Sequence, residues 1–443
     1  MRSNDPPHGG ERMTTLQRRA SVLVAMGEFI DGYDLLVMGT AIIYLRPQFH
    51  LSPEAVGLLG GAAFFGSIFG LLVFGDLTDR LGRRSIFVAN LLFFVVFSIA
   101  SAFITNTTEL FITRFLVGVG VGMDIPTSTA YLAEISPSHR RGAVIGGLTQ
   151  FTWVLGALTS TLVALPLGWF LGADAWRWMF GLAALPAFLV LLGRRMLPES
   201  PRWLLNHGRP EEAQAALAAF GMQAPVRVGV RRGTWGELFV APYATRSFWC
   251  CVLFFLNCLS GTVATIGTPF VLRYVGGLSV NATVIFSAFV WCASIAGTLS
   301  CIQLIDRIGR RRLAYISSIA GGVLALCIAF FATTNPVLLV ISFMLFSYSG
   351  WLGLAGLCWV WSSELFPTHL RGRSQGLCNS LCRLAICITI FLVPVAQAGF
   401  GFAKLIVFFA ACKFLIALVV WRQPMFATEN LHIDEVSGET APT

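Results

Sequence analysis

Apolar residues along this chain gather in long, nearly unbroken runs separated by short polar segments. Twelve runs are long enough to cross a bilayer, whose hydrocarbon core takes about 20 residues of helix. They cover 20–45, 56–76, 85–105, 109–134, 143–166 and 175–196, then 247–273, 282–304, 313–332, 336–363, 373–398 and 400–421. Inside a bilayer each backbone group must be bonded within its own segment, so each run reads as a helix. The fold class predicted is an all-α polytopic membrane protein with twelve transmembrane helices. Six-helix bundles are expected at 20–196 and 247–422, with tails at 1–19 and 423–443 and a linker at 197–246. In the linker, Glu211-Glu212-Ala213-Gln214-Ala215-Ala216-Leu217 has the pattern of a short amphipathic surface helix.

Composition agrees. The chain is 56% hydrophobic and 12% charged, where soluble proteins carry about 25% charged residues. That excludes a disordered chain and a disulfide scaffold. The net charge of +9 is explained by topology: of 31 Lys and Arg residues, 24 fall in the tails and inner loops if both termini are cytoplasmic. Arg46, Arg177 and Arg273 lie near outer loops, and Arg114, Arg383, Lys404 and Lys413 lie within or at the ends of helices. No nucleic-acid partner is needed to account for the charge. The first apolar run contains acids and ends without a small-residue cleavage site, so it reads as a retained helix and not a signal peptide. A bacterial inner membrane is the expected location. All eleven cysteines lie at or after Cys250, and Cys378 and Cys382 are spaced i, i+4. Without a CxxC or a Cys/His cluster they read as packing residues, and no metal or cofactor is expected.

The two halves repeat. Asp79-Arg80-Leu81-Gly82-Arg83-Arg84 follows the second run and Asp306-Arg307-Ile308-Gly309-Arg310-Arg311 the eighth, an offset of 227 residues. Glu134-Ile135-Ser136-Pro137-Ser138-His139-Arg140-Arg141-Gly142 follows the fourth and Glu364-Leu365-Phe366-Pro367-Thr368-His369-Leu370-Arg371-Gly372 the tenth, an offset of 230. Duplicated six-helix halves with a site between them are transporter architecture.

The D-R-x-G-R-R motifs, with Arg114-Phe115-Leu116-Val117-Gly118-Val119-Gly120-Val121-Gly122, resemble the major facilitator superfamily. Pro198-Glu199-Ser200-Pro201-Arg202-Trp203-Leu204, and Trp359 five residues before Glu364, are similar to its sugar porters and related metabolite–proton symporters. The resemblance implies two bundles rocking about a central site, in a chain expected to act as a monomer. It assigns gating to Asp79, Arg80, Arg83, Glu134, Arg140, Arg141, Glu199, Arg202, Asp306, Arg310, Glu364 and Arg371. Ion pairs among them are expected to lock the halves together at the cytoplasmic side.

Ionisable groups inside a span are costly and by default functional. Glu28, Asp31 and Asp34 lie at i, i+3, i+6 on one helix face. Asp31 and Asp34 fall within ~3 Å of the midplane, Asp124 and Arg383 within ~4 Å of the centres of their spans, and Arg114 ~11 Å toward the outside. Carboxyls crowded at one depth in a low dielectric favour a shared proton. Proton coupling is therefore assigned to Asp34 first, Asp31 next, with Glu28, and with Arg114 as the partner of the deprotonated form. The alternative is a static ion pair. Asp31-Gly32-Tyr33-Asp34 resembles the D-G-[YF]-D of aromatic-acid and phosphate symporters. Gly122-Met123-Asp124-Ile125-Pro126 resembles the phosphate group's G-G-D-Y-P, with Met and Ile as departures. Arg383 resembles the eleventh-span Arg of aromatic-acid symporters and would grip a carboxylate with its planar fork, or else pair internally with Asp124 or Asp34.

The substrate-binding set is Asp124, Arg383, Gln150, Trp153, Asn257, Ser260, Tyr348, Trp351 and Trp359. Gln150 resembles the fifth-span Gln of sugar porters. Where those place two Gln before x-[ST]-G, this chain has Asn257-Cys258-Leu259-Ser260-Gly261, which leaves fewer hydrogen bonds for a hexose. The expected function is a proton-coupled symporter importing a small organic anion: an aromatic acid, a sugar acid or a similar carboxylate. A neutral-sugar symporter is the second reading and a proton-driven drug exporter the third. A non-transporting receptor is a further class, and no nucleophile–base set suggests an enzyme.

Overall fold

The computed structural model describes residues 13–136, 148–222, 234–265 and 267–426. Among them every regular element is a helix. The first half contains α1 (Thr15–Gln48), α2 (Pro53–Leu81), α3 (Arg83–Ala102), α4 (Thr107–Ile135), α5 (Thr149–Leu171), α6 (Ala175–Gly181) and α7 (Ala184–Arg194). The linker carries α8 (Pro201–Asn206) and α9 (Pro210–Phe220). The second half contains α10 (Tyr243–Gly261), α11 (Thr268–Tyr274), α12 (Val280–Ile308), α13 (Arg310–Phe331), α14 (Pro336–Leu352), α15 (Leu354–Glu364), α16 (Thr368–Ala398) and α17 (Phe402–Arg422).

Starts are written in the sequence. Thr14 and Gln17 form a capping box on α1, and Ser52, Asn106, Ser279 and Asn335 each accept from a backbone N–H of the helix that follows. Ten segments are long and apolar enough to cross a membrane. One of them, Thr149–Arg194, holds two predicted spans, and α1, with its three acids, is a further span outside the ten. Twelve crossings result.

Three spans expected as continuous are broken. The sixth divides into α6 and α7, the tenth into α14 and α15, and the seventh passes through a 3-10 turn at Thr262–Ala264 before α11. Broken helices free backbone groups beside a transporter's cavity.

The repeat is visible in the backbone. Gly82 and Gly309 both adopt φ +91°, where a side chain is strained, and both begin the next helix. Arg84 Nη2 donates to the carbonyl of Arg195 at 2.7 Å, and Arg311 Nε to that of Val420 at 2.9 Å, anchoring the last helix of each half in the same way.

Close helix contact depends on small residues. A methyl group on Gly32 would stand 2.0 Å from the Trp153 carbonyl oxygen, backbone against backbone, so α1 and α5 cross here as closely as glycine permits. Gly32→Ala should force them apart and lower stability by about 1–3 kcal/mol, the usual cost of overpacking. An unchanged melting temperature of the detergent-purified variant would refute the close crossing.

Between the halves α2 packs on α16, α5 on α12 and α1 on α11. At the end opposite the chain termini, Arg46 lies 4.3 Å above the Tyr274 ring, and Trp169 Nε1 donates to Asn281 Oδ1 at 3.2 Å. At the other end α9 buries Ala213, Ala216, Leu217 and Phe220 and exposes Glu211 and Glu212, the amphipathic helix expected there. Cys378 and Cys382 both face α10, where they meet Cys251 and Cys258 as free thiols.

Candidate functional site

Helix α1 carries Glu28, Asp31 and Asp34 toward the interior of the first half. Asp34 is fully buried, and its Oδ1 accepts from Arg114 Nη1 at 3.0 Å. Arg114 Nη2 also donates to the Asp34 carbonyl oxygen at 2.6 Å, and the guanidinium lies 4.8 Å from the Phe180 ring centroid. The long arginine side chain makes up the difference in depth. Asp34 Oδ2 has no hydrogen-bond partner among the described residues. Asp31 is 1% exposed and neither of its oxygens is bonded among the described residues, an arrangement that is expensive for an ion. Glu28 is half-buried, and it and Asp31 lie in the fields of Asp124, Arg194 and Arg383.

Asp124 has a partner that sequence reasoning missed. Its Oδ1 accepts from Arg194 Nη1 at 2.6 Å and its Oδ2 from Arg194 Nη2 at 3.2 Å. Asn90 Nδ2 at 2.6 Å and Ser128 Oγ at 3.0 Å also donate to Oδ1. Arg194 donates further to the carbonyls of Leu23 and Val24 and lies 4.4 Å from the Phe87 centroid. The pair is buried and ties α1, α3, α4 and α7 together. Arg194 reads in sequence as a basic span end counted with the inner loops. The one available signal is that it falls inside the apolar run 175–196.

Arg383, on α16, pairs with neither Asp124 nor Asp34. Its guanidinium lies 5.5 Å from the Phe64 centroid on α2, its Nε has no hydrogen-bond partner, and it makes no ion pair among the described residues. Asn257 Oδ1 accepts from Lys413 Nζ at 2.9 Å. Ser260 is turned away: its Oγ donates to the Leu256 carbonyl at 2.7 Å and it is fully buried. This is a local bond that a serine in a helix makes readily.

Gln150 is half-buried on α5. Trp153 meets Trp291 and Trp351 of the second half at centroid distances of 6.2 and 5.9 Å, a seam of rings across the two bundles. Tyr348 donates to Ser300 Oγ at 3.2 Å, and Trp359 stands edge-on to Phe254. The site set therefore divides. Trp153 and Trp351 touch, whereas Tyr348 and Trp359 are held within the second half.

Two ion pairs at the helix ends lie within single halves. Arg83 Nη2 bonds Glu134 Oε1 at 3.1 Å, and Arg310 bonds Glu364. Both pairs join helices of one half, because each motif pair lies within one duplicated unit. Glu199 is a cap: its oxygens accept the backbone N–H groups of Arg83 at 3.0 Å and Arg84 at 3.1 Å, at the positive end of α3. Arg80 and Arg202 are exposed, and the Arg371 backbone N–H donates to the Pro367 carbonyl. Asp79 and Asp306 lie near the ends of α2 and α12, but their side chains are outside the described residues, as are Arg140 and Arg141 altogether.

Known proteins agree with this architecture. Residues 20–438 match the family model described as "Sugar (and other) transporter". YaaU of Escherichia coli (strain K12) is 30% identical over 407 residues, 89% of this chain and 88% of that protein. The arabinose-proton symporter of Bacillus subtilis (strain 168) is 27% identical over 94% of this chain and 93% of its own. A structure of the xylose transporter XylE from E. coli superposes with a TM-score of 0.76 at 22% identity, covering 93% of this chain and 98% of that one. The matches are to transporters and not to enzymes. With a family model spanning nearly its whole length, the chain belongs to the sugar (and other) transporter family of the major facilitator superfamily.

Proposed function

We propose that the protein is a proton-coupled symporter for a small polar metabolite of the sugar class. It would sit in a bacterial inner membrane with both chain ends cytoplasmic, as the distribution of basic residues supports. The observation that carries the reading is the unbonded, buried Asp31 one turn from the Asp34–Arg114 pair. A proton arriving at Asp34 weakens its hold on Arg114, and one arriving at Asp31 removes a buried charge. Either event favours closure around a substrate, and release of the proton on the far side favours reopening. Gln150, Trp153, Asn257 and Trp351 would line the site, and the end residues Arg83, Glu134, Arg310 and Glu364 would keep each bundle rigid while it rocks. The relatives named for arabinose and xylose support a sugar.

A second reading is favoured by Arg383, which lies buried at mid-span and makes no ion pair among the described residues. Such a cation suits a carboxylated substrate, a sugar acid or an aromatic acid. The two readings separate in reconstituted vesicles offered glucose or glucuronate under an inward proton gradient. Arg383→Ala should weaken glucuronate by about tenfold or more, the worth of a charge-assisted bond, and glucose far less. Equal losses would leave the neutral-sugar reading standing alone.

A further inference from the structure

Lys413 lies at the middle of α17, 3% exposed, and has no part in the coupling just described. Among the described residues its ammonium makes one hydrogen bond, to Asn257 Oδ1, and lies 5.7 Å from the Phe346 centroid. No acid is available to it: between 247 and 422 the sequence holds only Asp306 and Glu364, both at helix ends. A buried ammonium with a single bond is an expensive arrangement, so its effect on Asn257 matters.

An ammonium only donates. The Asn257 amide must therefore turn its oxygen toward Lys413, which occupies the acceptor and leaves Nδ2 with hydrogens to give. Asn257 is half-buried, and its Nδ2 bonds no protein group among the described residues. Arg383 on α16 is likewise a donor only. The neighbours of these two residues in sequence, Cys258 and Cys382, touch each other, so Asn257 and Arg383 flank a contact between α10 and α16. Two donors thus flank this contact, with the acids Glu28 and Asp31 of α1 also in the field of Arg383. A sugar hydroxyl is best held by an acceptor and a donor together, whereas a carboxylate needs donors alone.

We propose that Lys413 is a positioning residue that fixes Asn257 as a donor and so tunes the α10–α16 wall for a substrate presenting a carboxylate. The inference rests on the carboxylate reading above. Its test uses the full-length purified protein, with dissociation constants for glucose and glucuronate measured by calorimetry. The wild type should favour glucuronate. In Lys413→Met, which keeps the stem and removes the donor, the amide can offer its oxygen, and that preference should fall about tenfold. In an Asn257→Leu background the same substitution should leave the preference unchanged, since the lysine acts through the amide. Equal weakening of both probes in Lys413→Met, or an unaltered preference, would overturn the positioning role and leave the carboxylate reading intact. A wild type that favours glucose would overturn the carboxylate reading and the role of Lys413 with it.

Discussion

Asparagine in place of Asp34 is expected to abolish uptake driven by a pH gradient while counterflow exchange partly survives. The substitution keeps the shape and one oxygen that can accept from Arg114 Nη1, and the second Arg114 bond goes to the Asp34 backbone carbonyl, which is untouched. What disappears is the site where a proton can bind and leave. Coupling to one proton yields about tenfold accumulation for each pH unit, because a tenfold ratio and one pH unit both correspond to about 1.4 kcal/mol. In the variant, accumulation should collapse to the outside concentration whatever the gradient. Exchange of labelled for unlabelled substrate needs only the rocking step and should persist at reduced rate. Gradient-driven accumulation that survives in vesicles would remove Asp34 from the coupling role and move it to Asp31, whose Asn variant is then the one that should fail.

The second large effect concerns stability. Asp124→Leu deletes the acid that takes both guanidinium nitrogens of Arg194, leaving a buried cation with two backbone carbonyls and a ring for company. Breaking a buried pair on one side costs about 3–5 kcal/mol. Asp124→Leu should therefore unfold well below the wild type in detergent. The double variant Asp124→Leu/Arg194→Met should recover most of the loss, because two apolar groups replace the pair without an orphaned charge. If the double variant is as unstable as the single one, the cost lies in packing around α4 and not in the charge.

Much of this was legible in the chain. Length and polarity alone mark the spans, and the i, i+3, i+6 acids of α1 had to share a face. The Asp34–Arg114 pair was also readable, since both are charges inside apolar runs and each needs a partner. Arg194 was not, because it sits in the last turn of its apolar run beside Arg195, which is how topology-setting arginines look. The breaks in the sixth, seventh and tenth spans were hidden by unbroken hydrophobicity, a property of side chains that says little about where a backbone turns. The bond of Ser260 to its own helix was unreadable for a third reason: whether a hydroxyl faces a cavity or its own helix is a rotamer choice that no spacing encodes. Lys413 could be seen as a cation in a span, but its partner is a neutral amide 156 residues away, with no charge to draw attention to it.

The division of charge between the halves bears on how the chain enters the bilayer during synthesis. Asp34 and Asp124 find Arg114 and Arg194 within the first 194 residues, so a half-made protein can already neutralise two of its four intramembrane acids. Glu28 and Asp31 lie in the field of Arg194 from the outset and gain that of Arg383 only when the second half has been made. The nascent first half is thus inserted with two acids whose electrostatic setting is completed only by its unmade twin. Assembly of the two bundles is then drawn together by electrostatics as well as by fit.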